Sequence, residues 1–152
     1  MPHNALITTS GYDALTTDSA NSASAYATGH KSVVNALGVY EDSTKDPMDD
    51  PRVENVAEIL KRTRGMSIGI ITQAESTDAT PAAMVGHTRR RANQDLLASE
   101  YLEDYHRPDV IMGGGSSRYI PQSEKGSKRH DNENVIQEFK NKGYTFVTNS
   151  KE

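Results

Sequence analysis

Cysteine and tryptophan are absent from the 152 residues, and phenylalanine occurs only twice. Without cysteine, neither a disulfide-stapled mini-protein nor a Cys₂His₂ or Cys₄ zinc module can form. Long apolar runs are missing as well. A run such as Ile68-Gly69-Ile70-Ile71 falls far short of the roughly 18 residues of a membrane-spanning helix, so no membrane span is expected. A basic surplus is also lacking: the formal net charge is -4 and the pI is about 5.7, which argues against a nucleic-acid partner. Only 34 % of the residues are hydrophobic and the mean hydropathy is -0.72, so a large independent core is not expected. Met1-Pro2-His3-Asn4 has no basic n-region and no apolar h-region, and no signal peptide is read there. The missing cysteines leave the compartment open, since they fit the cytosol and a disulfide-free exported protein equally.

What is present alternates between helix and strand signals. Ala5 to Thr9 reads as a short strand ending at Ser10-Gly11. From Asp18 to Gly29, an Asp18 or Ser19 cap, alanines and a closing glycine predict a helix with a small-residue face. Tyr40 to Asp50 is a polar, acidic loop. Asp50-Pro51 supplies a cap and an N1 proline for a helix carrying Val53, Val56, Ala57 and Leu60 and closed by Gly65. Met66 to Thr72 reads as a buried strand, and Thr80-Pro81 opens a short helix through Val85. A further helix is expected from Asn93 to about Tyr105. Val110-Ile111-Met112 is a strand with a tight exit at Gly113-Gly114-Gly115. A loop from Ser116 to Arg129 follows, then a helix after Asp131 with Val135, Ile136 and Phe139 inward, and a last strand from Tyr144 to Val147. This order is that of an α/β architecture with a largely parallel sheet.

Three local patterns carry chemistry. Thr17-Asp18-Ser19-Ala20 puts a serine at a helix start, where orphan N–H groups and the helix dipole favour an alkoxide or a bound anion. An N-cap is the ordinary explanation of such a serine. Thr77-Asp78-Ala79-Thr80-Pro81 is explained, in isolation, by a turn and a cap. In His87-Thr88-Arg89-Arg90-Arg91 the ordinary explanation of the arginines is a solvated face.

Together these patterns point further. Thr17 to Val39 closely resembles the nucleophile motif of the alkaline phosphatases, with Asp18, Ser19, Ala20, Ala25, Tyr26, Thr28, Gly29, Lys31, Gly38 and Val39 in place. The Asp78-Ala79-Thr80-Pro81 motif and the His87 to Arg91 spacing also match that family, and the resemblance covers almost the whole chain. Asn21, Ser22 and His30 are mild departures from it, and a disulfide-bearing segment of some bacterial members is replaced by Ala92 to Tyr105. The resemblance implies a three-layer α/β/α domain and hydrolysis of phosphate monoesters through a phosphoserine, with two zinc ions and one magnesium. It makes Ser19 the nucleophile and a zinc ligand, and Arg91 the bidentate phosphate clamp, with Arg90 as the alternative one register away. Asp18 would position that arginine. Asp78 would hold a magnesium-bound water and Thr80 would bind magnesium through its hydroxyl, a donor set that suits a hard cation.

The remaining metal ligands of the family have no counterpart here. The chain has no Asp-Gly pair, and its histidines are His3, His30, His87, His106 and His130, none in an Asp-His pair. A lone serine cannot hold a zinc ion that generally needs about three protein ligands. Residues 1–152 are therefore expected to be a partial domain lacking N-terminal and C-terminal portions, and inactive in isolation. A non-catalytic phosphate-binding or truncated scaffold segment is the alternative. The resemblance further implies a homodimeric parent that is exported to the periplasm or outside the cell.

Overall fold

Side-chain caps set where the helices begin. In the computed structural model, which describes residues 3–42, 44–46, 49–149 and 151, helix α1 spans Ser19–Thr28. Asp18 caps it: its carboxylate accepts from the Asn21 N–H at 3.1 Å, and the Asn21 side chain accepts from the Asp18 N–H at 3.1 Å. Two orphan donors are thus satisfied reciprocally. The helix ends at Gly29, in the left-handed region at φ 74. Helix α2, Val56–Arg64, starts from a second reciprocal pair, Asn55 with Glu58. Helix α3 is a single turn, Ala79–Ala82, capped by Asp78. Helix α4 is Gln94–Glu100, and α5 is Val135–Asn141 with Asn134 as its cap. A 3₁₀ turn covers Ser116–Arg118.

Strand β1, Gly69–Glu75, and strand β2, Val110–Gly114, pair in parallel, with Ile70 opposite Ile111 and Ile71 opposite Met112. A parallel pair requires a crossover, and here the crossover contains α3 and α4. The glycine exit of β2 is close-packed: a Cβ on Gly115, at φ +89, would stand 2.8 Å from the Cβ of Glu75. The main core joins Ala20 and Ala23 of α1 to Ala79 and Ala82 of α3, then runs through Leu37, Ile70, Leu97 and Tyr101 to Val135 and Phe139. Small residues on both α1 and α3 let the two backbones approach closely, as the alanine-rich sequence implies.

Several expectations are corrected. Ala5–Thr9 and Tyr144–Val147 are not strands; among the described residues neither has a ladder partner, and Leu6 and Ile7 are exposed. Strand-forming side chains without a neighbouring strand have no ladder to join, and the Tyr144 N–H turns back to the Phe139 carbonyl at 3.0 Å instead. The strand expected at Met66 to Thr72 begins three residues later, and only Ile70 within it is buried. Pro51 does not open α2, because Asn55 with Glu58 forms the cap instead. The apolar stripe expected to bury α2 is half-exposed at Val56 and Ile59, and the one buried residue of that helix is Glu58. Asp78, not Thr80, caps α3, which stops at Ala82, and α4 ends at Glu100 rather than near Tyr105. The Tyr40 to Asp50 segment is a loop whose residues 43, 47 and 48 lie outside the described residues, as do Met1 and Pro2 of the start.

Candidate active site

Helix α1 presents Asp18 as its cap and Ser19 as its first residue. Across from it, α3 presents Asp78 as cap, with Thr80 exposed two residues further on. Arg91 spans the two. Its Nη1 donates to the Ser19 Oγ at 2.7 Å and to an Asp18 carboxylate oxygen at 3.2 Å, while Nη2 donates to Asp78 at 2.8 Å. The structure therefore gathers Asp18, Ser19, Asp78 and Arg91 into one constellation across 73 positions of sequence, the separation of Asp18 from Arg91. Arg90, the alternative arginine, is exposed. Arg89 is committed to the Val34 carbonyl at 2.9 Å and to Asp50.

Solvent reaches this constellation. The side chains of Asp18, Asp78 and Arg91 remain 23 %, 41 % and 29 % exposed. Ion pairs this wet contribute about 0–1 kcal/mol each, so an anion arriving between Ser19 and Arg91 can replace them. The guanidinium supplies a flat two-nitrogen donor face, and the start of α1 adds helix-dipole attraction for negative charge.

Backbone geometry holds the arginine in place. The Arg91 N–H donates to the Asn35 carbonyl at 2.8 Å, and the Asn35 N–H reaches Asp18 at 3.4 Å. Asn35 adopts φ 69, the only positive φ outside glycine among the described residues. Asparagine tolerates that conformation better than most residues. Asn35 carries no sequence signal beyond a turn preference, a lone asparagine between Val34 and Ala36. Nor does local sequence single out Glu58, Glu100 and His106, which surround His87 in the interior. The Asn55-x-x-Glu58 spacing was a usable signal for the cap, but nothing in it indicates the histidines.

The donor sets can be compared with the implied metals. Asp78 and Thr80 offer a carboxylate and a hydroxyl at one helix start, hard oxygen donors of the kind magnesium takes, with water completing its shell. For zinc beside Ser19 the fit fails among the described residues: the Ser19 Oγ accepts from Arg91, and no histidine bonds to a member of the constellation.

Comparison with known proteins agrees with the motifs. The family profile described as alkaline phosphatase matches residues 1–152. Alkaline phosphatase 4 of Bacillus subtilis (strain 168) is 38 % identical over 136 residues, covering 87 % of this chain and 26 % of that protein. The repressible alkaline phosphatase of Saccharomyces cerevisiae is 33 % identical over 150 residues, covering 91 % of this chain and 25 % of that protein. Among solved structures, alkaline phosphatase from the Antarctic bacterium TAB5 superposes with a TM-score of 0.79 at 28 % identity, over 95 % of this chain and 37 % of that one. A variant of the TAB5 enzyme carries magnesium in a site designated M3. The chain spans about a quarter of the length of these curated relatives.

Proposed function

Since this chain belongs to the alkaline phosphatase family, we propose that it carries the nucleophile and the phosphate clamp of a phosphate monoester hydrolase longer than itself. The observation that supports this reading is the 2.7 Å contact between Arg91 Nη1 and Ser19 Oγ at the start of α1. A phosphoryl group held by the Arg91 fork lies within reach of the serine oxygen.

The step is a displacement at phosphorus. The Ser19 Oγ forms a bond to phosphorus as the bond from phosphorus to the ester oxygen breaks, and the proton given up by the serine is balanced by the one the departing oxygen takes up to leave as the alcohol. Water then attacks the phosphoserine, releases inorganic phosphate and restores the hydroxyl. Arg91 offsets the charge on the equatorial oxygens in both displacements. Asp18 holds the guanidinium from one side and caps α1 from the other, so nucleophile and clamp share one support. Arg91 must exchange its Asp78 contact for phosphate, which frees that carboxylate. Thr80, and Asp78 through water, would hold magnesium, which would supply positive charge to the site. Zinc is implied by the family, but among the described residues Ser19 alone is offered to it, so in this reading its other ligands come from beyond residues 1–152 and no step is derived through it. Residues 1–152 are in this reading a partial domain, and the parent is an exported homodimer, properties taken from the resemblance.

Incubation of the complete enzyme with radiolabelled phosphate ester should label Ser19, and Ser19→Ala should abolish the label. Labelling retained in that variant refutes the nucleophile assignment. The 152-residue chain alone should not turn over p-nitrophenyl phosphate with added zinc and magnesium. Substantial turnover that Ser19→Ala removes would sink the partial-domain reading. A non-catalytic phosphate-binding segment uses the same Arg91 and helix start without zinc. Calorimetric titration with phosphate, with and without zinc, separates it from the enzyme.

A further inference from the structure

A second cluster lies in the interior, outside the constellation around Ser19. Glu58 of α2, His87 after α3 and His106 after α4 have side chains only 5 %, 1 % and 0 % exposed. Each ring nitrogen meets an oxygen. His87 Nδ1 is 2.7 Å from the Gly38 carbonyl and Nε2 is 3.0 Å from Glu58 Oε1. His106 Nε2 is 2.7 Å from the Glu100 carbonyl, and Nδ1 is 3.2 Å from the same Glu58 oxygen. Carbonyl and carboxylate oxygens only accept. A neutral His87 ring, with one N–H, would turn a lone pair toward an oxygen lone pair. The imidazolium satisfies both contacts.

The carboxylates around the ring favour that form, while the His106 ring stacks on it with centroids 5.7 Å apart. Glu58 faces the ring from α2, and Glu100 stands beside it from α4, its Oε2 accepting from the backbone N–H of His87 at 2.9 Å. Arg52 takes the other Glu100 oxygen at 2.8 Å, and Glu103 stands 3.8 Å from His106 Nε2. Three ligand atoms converge, which invites a metal reading. A structural zinc site takes four protein ligands and a catalytic one keeps an open position, whereas this cluster has three and is closed. Its lengths are those of N–H···O bonds.

His87 also opens the segment that ends in Arg91. Thr88 exchanges two backbone hydrogen bonds with Leu37, both 2.8 Å, and Arg91 bonds Asn35. Gly38 lies against the ring so closely that a Cβ there would stand 2.6 Å from His87 Nδ1 and 2.8 Å from the Gly86 oxygen.

We propose that protonated His87 is a positioning residue: clamped between Glu58 and the Gly38 carbonyl, it anchors the segment 87–91 so that the Arg91 guanidinium stays beside Ser19. This inference rests on Arg91 being the phosphate clamp. Burial alone would lower the pKa of His87, but Glu58 and the Gly38 carbonyl outweigh it and raise the net value.

The test uses the complete enzyme with inorganic phosphate as probe. His87→Gln should weaken phosphate binding and kcat/KM by roughly ten- to a hundredfold, the cost of a misplaced group near the chemistry. In an Arg91→Ala background the same change should add nothing further, whereas a merely structural role would add its loss again. Nitrogen-15 spectra should show both His87 nitrogens protonated at neutral pH. If His87→Gln does not fold, Glu58→Gln, which keeps the volume, is the variant measured. Full phosphate affinity in these variants, where Arg91→Ala does weaken it, overturns the positioning role and leaves the function standing. A neutral His87 ring, or zinc bound at stoichiometry by the cluster, overturns it as well. If Arg91→Ala changes neither binding nor turnover, the functional reading falls and takes the inference with it.

Discussion

Arg91 distributes one positive charge over two carboxylates and a hydroxyl, and its geometry matters more than its charge. Arg91→Lys keeps the cation but loses the planar fork, so phosphate affinity in the complete enzyme should fall by about tenfold, or 1.4 kcal/mol. Calorimetry measures it, and an unchanged Kd contradicts the two-nitrogen clamp. Glu58 gives a second prediction at this scale. Burial opposes its ionisation, yet hydrogen bonds from His106, His87 and Asn55 outweigh that and lower its pKa from 4.5 to about 2. A depressed carboxylate stabilises the fold above its unfolded pKa and loses that contribution as the pH falls. The loss should run from about pH 4.5 down toward 2. The raised His87 acts in the opposite sense: its contribution is complete below the unfolded pKa of about 6.5 and is lost as the pH rises through the folded value. Both describe one ion pair. Glu58→Gln should therefore flatten both flanks of a stability–pH profile measured by urea unfolding, and a profile with unchanged flanks contradicts the pairing.

Helix caps carry the argument at the scale of elements. Asn55 caps α2 with the same Glu58 that holds the histidines. Asn55→Ala should cost about 1 kcal/mol in urea unfolding, and a change near zero would mean the cap is idle. Helix α1 was legible in the sequence because Asp18, the alanines and Gly29 agree at every level. Helix α2 was legible in existence but not in start or orientation. Pro51 imitates a helix opening, and the inward face holds Glu58 beside the half-buried Ala57 while Val56 and Ile59 stay exposed. The two failed strands have a different cause. Ala5–Thr9 and Tyr144–Val147 have strand composition, but a strand exists only with a partner, and partners are not written in local sequence. The same limit applies to the site. Asp18, Ser19, Asp78 and Arg91 stand in linear motifs, whereas Asn35 and the Glu58–His87–His106 cluster are linked only through space.

Over the whole molecule, apolar side chains remain uncovered: Leu6 and Leu15 are more than nine-tenths exposed, Ile71 is 76 % exposed and Met112 is 55 % exposed. Ile71 and Met112 are partners across β1 and β2, so these two lie side by side, and apolar surface that is contiguous in this way favours association. The 152-residue chain should bind a hydrophobic dye and associate with itself in light scattering, and a dye-silent monomer would contradict this. No helix among the described residues is long and apolar enough to cross a membrane. The crossover between β1 and β2 has a kinetic consequence. The segment 87–91 lies inside that crossover, and its anchors, Asn35 and Leu37, lie before β1. Loop-closure entropy delays contacts between residues far apart in sequence. Ser19 and Arg91, 72 positions apart, should therefore meet late in folding, and an Arg91→Ala variant should speed unfolding while leaving the folding rate unchanged in stopped-flow kinetics; a slowed folding rate would contradict this.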